Sequence, residues 1–391
     1  MPPPNTTWRV TRRIRCPWPL DFEALHTAWR AAATGKRRRI DVAGFEVRLA
    51  EGLEHLRCSL AEGRWQPGPY RVFSVVERGK VRRVAAAPFA DRIVHHAVVN
   101  ALAPVWEKRY VGWSCANRLG RGTHAAMQRA VAGARQCRFA LSVDVARFFP
   151  SVDHEVLKGL VARHVGDGPL LDLVGRIIDS GRLLFSLNEA RPWMPPHEGL
   201  LALARPRGLP IGNQTSQFLG NVQLHPVDLV VAQQVRPRAA VRYVDDLMLF
   251  DNDRGRLEDA RLRIEASLAG LRLRAHPHKT RLVSTAEGFT FVGYRVTPNG
   301  IRLPRATLSR FHGRLHALQR GFAEGRLSID EVRASVAGMC GHTKAAQLDG
   351  LMNALLDAHP LVRTHNAKAV HDDDDDDDDE TDDNINDEEP M

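Results

Sequence analysis

The sequence predicts an α+β protein, and three observations lead to this class. Apolar residues recur at helical spacing in several long segments. Short β-rich runs bounded by turn residues lie between those segments. No internal repeat is visible along the chain. At 391 residues the protein can bury a sizeable core, and we expect two or three subdomains.

The elements follow one another in a recognisable order. A helix is predicted over 45–60, ended by Gly63 and the prolines near it. The later predictions are a hairpin over 70–86 with a basic tip, helices over 91–106 and about 123–134, a β-rich run over 138–143, helices within 155–182, a Gly/Pro turn and helix from 208, a β-hairpin over 241–250, a helix over 257–268 and a strand-like run over 289–296.

The acidic pair Asp245 and Asp246 lies between two apolar runs of the 241–250 hairpin. We predict a turn at residues 244–246. Two adjacent carboxylates in an apolar hairpin repel each other and lose solvation, which a protein tolerates mainly where a cation neutralises them. Mg²⁺ is the natural candidate, since it binds carboxylates and shares its other ligands with phosphates and water. Taken alone, the pair would more often be an ordinary Asp-rich turn.

A third acid, Asp144, ends the β-rich run at 138–143. An ionised Asp in a hydrophobic strand is costly unless it is neutralised. If this strand lies beside the 241–250 hairpin, three carboxylates converge where two cations could bind. Two metal ions ~3.5–4 Å apart clamp the attacking and leaving oxygens in phosphoryl transfer.

Charge is divided unevenly along the chain. Residues 371–391 hold fourteen acidic residues and no Lys or Arg, whereas residues 1–370 hold 32 acidic and 55 basic residues, a net charge of +23. Such an excess suits a polyanionic partner; nucleic acid is the leading inference and an acidic membrane surface the second. No apolar run approaches the ~20 residues that span a bilayer, and the N-terminus lacks an apolar signal core. We therefore expect a cytoplasmic protein with no membrane partner.

Several classes of site lack their sequence signatures. The five cysteines are widely spaced and form no C-x-x-C pair, so neither a disulfide framework nor a structural zinc site is predicted. His95-His96 and His276-Pro-His278 have no Cys or acid at ligand spacing, and packed or solvated histidines explain them. The glycine-rich nucleotide-binding motifs and the serine-hydrolase motif are also missing.

Five motifs, in order over roughly residues 70–300, resemble those of reverse transcriptases. They are Ser142–Asp144 with the aromatic pair that follows, Gly208–Gly212, Tyr243–Asp246, His278–Thr280, and Phe291–Tyr294, which resembles the primer-grip hairpin. One such motif would be weak, but five in the right order are specific. The resemblance implies an RNA-directed DNA polymerase with a right-hand fold of fingers, antiparallel-sheet palm and small helical thumb. It further implies deoxynucleoside triphosphates, template RNA and an RNA/DNA hybrid as partners.

The resemblance also assigns roles to residues. Asp144, Asp245 and Asp246 would hold two Mg²⁺ ions, for which Mn²⁺ could substitute, with the backbone oxygen of Val145 completing a shell. Lys279 would protonate or stabilise the leaving pyrophosphate. The ring of Phe149 would exclude a 2′-hydroxyl, unless it only packs in the core. The residues matched near the nucleotide are Lys80, Arg82, Ile211 and Gly212, and surface charge explains the two basic residues equally well. The residues matched near template and primer are Gln217, Tyr243, Gly293 and Tyr294.

Within this family the chain is most similar to the reverse transcriptases of bacterial diversity-generating retroelements. The stretches 86–96, 114–118 and 211–217 carry that likeness. Most reverse transcriptases have Gln immediately before the glycine that Gly212 matches, and Pro immediately after the serine that Ser216 matches. This chain has Ile211 and Gln217 at those two positions. Because Ile cannot hydrogen-bond, geometric checking of the incoming base could loosen. The likeness implies error-prone copying at template adenines, with a structured template RNA and a small basic accessory variability protein as partners.

Two alternatives remain open. An antiphage-defence or retron-type reverse transcriptase would share the palm motifs, and a catalytically silent RNA-binding scaffold could keep the palm shape. No protease, RNase H, maturase-type zinc or endonuclease motif is visible, which disfavours a retroviral enzyme and a complete group II intron protein.

The motif order predicts five segments. They are a basic N-terminal segment (1–45), fingers (46–140), a palm (141–298) with a helical insertion at about 155–207, a helical thumb (299–365) and an acidic tail (366–391). A like-charged run cannot offset the cost of ordering by burial, so we expect a disordered, solvated tail. The sharper hypothesis is that the tail mimics nucleic acid in the basic groove or recruits the basic accessory protein.

Overall fold

The computed structural model describes residues 21–77, 80–166, 168–182, 184–185, 201–344 and 349–361. The acidic tail, residues 1–20 and the side chain of Lys80 lie outside the described part. The described residues fall into two compact units, one comprising 21–308 with 342–344 and the other comprising 309–341 with 349–361. The described chain contains both α-helices and antiparallel sheets, which confirms the predicted α+β class.

The helices are numbered here in chain order over the described residues. They are α1 Phe22–Ala33, α2 Ile40–Val47, α3 Leu49–Ala61, α4 Phe89–Glu107, α5 Thr123–Gln136, α6 Phe148–Ser151, α7 His154–Ala162, α8 Gly168–Asp179, α9 Leu201–Ala204, α10 Gln214–Val230, α11 Arg254–Gly270, α12 Arg305–Ala323, α13 Ile329–Lys344 and α14 Asp349–Asp357.

The strands form three sheets. They are β1 Arg71–Glu77, β2 Lys80–Ala86, β3 Phe139–Asp144, β4 Ala239–Tyr243, β5 Asp246–Asp251, β6 Arg281–Ser284, β7 Phe289–Phe291, β8 Tyr294–Thr297 and β9 Gly300–Arg302. β1 and β2 pair alone, β7, β8 and β9 form a three-stranded sheet, and the central sheet has the order β4-β5-β3-β6.

The central sheet is antiparallel throughout and carries the predicted acids. β3 and β5 are adjacent, and their register sets Asp144 opposite Asp246. Both strands are apolar, with Leu141 and Leu249 fully buried. The burial of these strands therefore holds together two acids that lie about a hundred positions apart in the sequence.

Helices bury their apolar faces in the same core. In α8 the buried residues recur at the 3.6-residue period, as Leu170, Leu173, Val174, Ile177 and Ile178. This pattern is the one that predicted helices within 155–182. No helix in the described ranges is both long and apolar enough to cross a membrane.

The structure corrects three sequence predictions about elements. The single helix predicted over 45–60 is two helices, α2 and α3, broken at Arg48, where no Gly or Pro marks the break. The turn predicted at 244–246 comprises only residues 244–245, because Asp246 already belongs to β5. The run at 289–296 is not one strand but a tight hairpin, β7–β8, as the likeness of Phe291–Tyr294 to the primer-grip hairpin implied.

The second unit is helical. Within it, Arg314 Nε donates a hydrogen bond to Ser335 Oγ at 2.8 Å. Gln319 Nε2 donates to the carbonyl oxygen of Pro360 at 2.9 Å. These contacts tie α12 to α13 and to the chain that follows α14.

Candidate active site

Three carboxylates meet at one end of the central sheet. Asp144 is the last residue of β3, Asp246 is the first residue of β5, and the two are cross-strand partners. Opposed residues of an antiparallel pair have Cα atoms about 4.5–5.5 Å apart. Asp245 lies in the turn between β4 and β5, directly before Asp246. The sheet thus assembles the cluster that the sequence predicted, Asp144, Asp245 and Asp246.

Two of the three acids, Asp245 and Asp246, resist ionisation. Burial, followed by the negative charge of Asp144, raises the pKa of Asp245 to about 6. Burial also raises the pKa of Asp246 to about 7, and the charges of Asp245 and Asp144 add to that shift. The positive charge of Lys279 opposes both increases. A bound cation would relieve this repulsion.

Lys279 lies against the cluster, as the sequence predicted. Its Nζ forms an ion pair with Asp144 Oδ2 at 2.7 Å. The turn that carries it is attached to β3, because the backbone N–H of His276 donates to the carbonyl oxygen of Asp144 at 2.7 Å. Lys279 therefore neutralises Asp144 in this structure.

The acids do not form a ready-made metal site as they stand. Among the described residues, no group of three or more His, Cys, Asp or Glu side chains is arranged to hold a metal ion. Protein partners engage two of the carboxylates: Lys279 pairs with Asp144, and the N–H of Val292 donates to Asp246 Oδ2 at 3.2 Å. The donor set still fits a divalent cation, because it offers only carboxylate oxygens whose charges repel one another.

The β1–β2 hairpin approaches the cluster from the first half of the chain. The positive charge of Arg82, an exposed residue of β2, lowers the pKa of Asp245, so this charge acts on the acid cluster. At the hairpin base, the N–H of Ala85 donates to the carbonyl oxygen of Ile211 at 2.9 Å. Gly212 follows with φ of 112°, and a Cβ there would lie 2.8 Å from Cγ1 of Val84. Ile211 and Gly212 thus lie against β2, the strand that also carries Arg82.

The aromatic pair after β3 has one buried and one half-buried ring. Phe148 is 2% exposed and belongs to the core, as predicted. Phe149 is half-buried, and its ring centre lies 5.2 Å from that of Phe148. Val145 is buried next to Asp144, and Gln217 is exposed on α10. Their predicted roles stay predictions.

The residues predicted near template and primer lie in different environments. The hydroxyl of Tyr243 accepts a hydrogen bond from Thr123 Oγ1 at 3.1 Å. Gly293 is in the two-residue turn of the β7–β8 hairpin, with φ of 82°. Tyr294 is only 2% exposed, so its ring is a core group. The predicted role of Tyr294 near template and primer stays a prediction.

Sequence reasoning missed a buried arginine beside the acids. Arg242 is 1% exposed, and its guanidinium forms a two-bond ion pair with Asp228, at 2.7 Å from Nε and 2.6 Å from Nη2. The signal was present, since a charged residue stands inside an apolar strand two positions before Val244. Its partners could not be found, because Ser114, Asn221 and Asp228 come from distant segments.

Comparisons with known proteins agree with this geometry. Residues 74–296 match the family described as Reverse transcriptase (RNA-dependent DNA polymerase). Protein YkfC of Escherichia coli (strain K12) is 25% identical over 328 residues, covering 74% of this chain and 82% of that protein. The Group II intron-encoded protein LtrA of Lactococcus lactis subsp. cremoris is 24% identical over 185 residues, which cover 47% of this chain and 28% of that protein.

Proposed function

The chain belongs to the reverse transcriptase family and is an RNA-directed DNA polymerase, and we propose that Asp144, Asp245 and Asp246 form its catalytic centre. Enzymes of this family act on template RNA and deoxynucleoside triphosphates and generally use divalent metal ions. The observation that carries the proposal is the register of the central sheet, which sets Asp144 opposite Asp246 beside Asp245. The cation we propose is Mg²⁺, with Mn²⁺ as a possible substitute.

The chain's own residues have defined tasks in this proposal. The three carboxylates and the carbonyl oxygen of Val145 would hold the cations. Bound Mg²⁺ would lower the pKa of the primer 3′-hydroxyl and neutralise charge on the triphosphate. The primer 3′-hydroxyl releases its proton to solvent, its oxygen forms a bond to the α-phosphorus, and the bond from that phosphorus to pyrophosphate breaks. Lys279, which pairs with Asp144 in this structure, donates a proton to or stabilises the leaving pyrophosphate.

The surrounding elements suit the remaining tasks. Arg82, whose charge lowers the pKa of Asp245, would bind the triphosphate, while the Ile211–Gly212 turn at the hairpin base would support the nascent pair. The half-buried ring of Phe149 would exclude a 2′-hydroxyl. In the proposed right-hand layout, the β1–β2 hairpin belongs to the fingers, the central sheet to the palm and the helices after residue 305 to the thumb.

We further propose error-prone copying at template adenines in a diversity-generating retroelement, assisted by a small basic accessory protein. The supporting residues are Ile211, where a Gln would hydrogen-bond near the nascent pair, and Gln217 on the exposed face of α10. An antiphage-defence or retron-type role is the alternative in the same enzyme class. Neighbouring genes would separate the two, since a template/variable repeat pair and an accessory gene accompany diversification.

One experiment tests both levels of the proposal: primer extension on a defined RNA, followed by sequencing of the cDNA. We expect wild-type protein to make cDNA, and Asp245→Asn to be slower by roughly 1,000-fold because cation binding is lost. If the wild-type protein binds the RNA/DNA hybrid but makes no cDNA, the protein is instead a catalytically silent RNA-binding scaffold. Ile211→Gln should lower the error rate at template adenines, and an unchanged rate in an active variant rejects that role for Ile211.

A further inference from the structure

The turn that carries Asp245 has a strained backbone. Val244 has φ of 56°, in the left-handed region. A β-branched residue there is a genuine outlier, because its side chain crowds the backbone. Such a conformation persists only where neighbouring groups hold it. The direction in which Asp245 points therefore depends on whatever holds Val244.

Arg242 holds this turn directly. Its Nη1 donates a hydrogen bond to the carbonyl oxygen of Val244 at 2.8 Å. The two residues are separated by Tyr243 alone, so the guanidinium reaches forward from β4 to the turn. Because Arg242 is only 1% exposed, bulk solvent cannot readily replace this contact.

The guanidinium is itself anchored on all sides. Asp228 of α10 accepts from Nε and Nη2, at 2.7 and 2.6 Å. Asn221, also of α10, accepts from Nη1 at 2.9 Å. Ser114 Oγ accepts from Nη2 at 3.0 Å. With the bond to Val244, these contacts use all five donors that an arginine side chain offers.

The anchors are connected to one another. Nδ2 of Asn221 donates to the carbonyl oxygen of Ala116 at 2.8 Å, which ties α10 to the 114–118 loop. The backbone of Arg242 is attached to the same loop, since the N–H of Cys115 donates to the Arg242 carbonyl oxygen at 2.9 Å. The network therefore links a loop, a helix and the acid-bearing hairpin through one side chain.

We propose that Arg242 is a positioning residue that, anchored by Asp228, holds the Val244 carbonyl and so directs Asp245 towards Asp144 and Asp246. This inference rests on the proposed function of the three acids. Arg242 reaches Asp245 through the carbonyl oxygen of Val244, and its positive charge also interacts with the negative charge of Asp245. Asp228 neutralises the guanidinium of Arg242. Without this partner the buried charge would be strongly destabilising.

Two variants separate positioning from simple support of the fold. The double variant Arg242→Met with Asp228→Leu removes both buried charges at similar volume, a change that is often neutral or stabilising. Arg242→Lys keeps a positive charge beside Asp228, but its three donors cannot replace all five contacts. Arg176→Met is the control, since Arg176 also holds backbone carbonyls, those of Gly63 and Trp65, in another part of the chain.

The measurements are melting temperature, affinity for an RNA/DNA hybrid, kcat and KM for the deoxynucleotide, and hydrogen exchange of the peptide covering 241–247. We expect kcat to fall about 100-fold in the double variant, because a misplacement of about 1 Å at a catalytic group has that effect. The loss in Arg242→Lys should be about 10-fold. KM and hybrid affinity should stay close to wild type, melting temperature should fall only slightly because buried acceptors lose a donor, and exchange should increase in the 241–247 peptide. Arg176→Met should keep the wild-type kcat.

Wild-type kcat in either folded Arg242 variant overturns the inference. If the double variant does not fold, Arg242→Lys decides alone, since it preserves the charge pair. A loss of activity that follows melting temperature, without a local increase in exchange, also rejects positioning. If the proposed function is wrong, the result differs, because the wild-type protein itself would bind the RNA/DNA hybrid and make no cDNA.

Discussion

At the scale of single residues, burial and mutual repulsion set the chemistry of Asp245 and Asp246. Their pKa values are raised to about 6 and about 7, so the folded protein retains protons that the unfolded chain has already released at the same pH. The stability linked to these two groups is therefore fully present below about pH 4 and is lost as pH rises through about 6 to 7. A cation bound at neutral pH would restore it.

This linkage predicts a measurable pH dependence in metal-free protein. Between about pH 5 and about pH 8, the melting temperature of the wild type should fall by roughly 5 °C relative to an Asp245→Asn, Asp246→Asn double variant. Thermal melts in chelator measure this difference. Adding a divalent cation at the higher pH should reduce the difference, because the cation stabilises the ionised acids. Parallel pH profiles for the two proteins would contradict the prediction.

At the scale of elements, the base of the β1–β2 hairpin is attached to the turn that precedes α10. Gly212 has φ of 112°, and its Cα faces Val84 of β2 so closely that a Cβ would lie 2.8 Å from Cγ1 of Val84. The side chain of Asn213 adds a second link, since its Nδ2 donates to the carbonyl oxygen of Ala85 at 3.2 Å. The hairpin is therefore positioned by a contact that only glycine permits.

Gly212→Ala should displace the hairpin and weaken nucleotide binding. We expect KM for the deoxynucleotide to rise about 10-fold, which corresponds to about 1.4 kcal/mol. The matched control is Gly270→Ala, at a glycine that has no atom within 4 Å of a built Cβ. Steady-state kinetics of the two variants measure the effect, and equal KM values would show that the hairpin tolerates displacement.

Sequence could predict the elements whose signal is local. The apolar runs ending in Asp144 and flanking Asp245 were visible as strands, and the five ordered motifs indicated that they meet. β6 was missed because Arg281–Ser284 is too short to show a period. The break at Arg48 carries no Gly or Pro. The role of Arg242 depends on partners up to 128 positions away, a tertiary fact that no local pattern contains.

At the scale of the whole molecule, charge is separated between the body and the tail. The net charge of +23 in residues 1–370 attracts RNA phosphates, while the fourteen acids of residues 371–391 compete for the same basic surface if the mimic hypothesis is right.

Deleting residues 371–391 should therefore strengthen RNA binding. We expect Kd to fall about 10-fold at low salt, with the difference disappearing as screening increases. Replacing the tail with a neutral Gly/Ser segment of equal length is the matched control and should give the same Kd as the deletion. A Kd and a salt dependence unchanged by deletion would reject the mimic.

Asp144 and Asp245 should act in one centre, and a double-mutant comparison of single-turnover rates tests this most directly. Groups that act as a unit have strongly non-additive effects. With the RNA/DNA hybrid bound in excess, we predict that the Asp144→Asn, Asp245→Asn double variant extends the primer about as slowly as the slower single variant. A rate reduced by the product of the two single effects would contradict a shared centre.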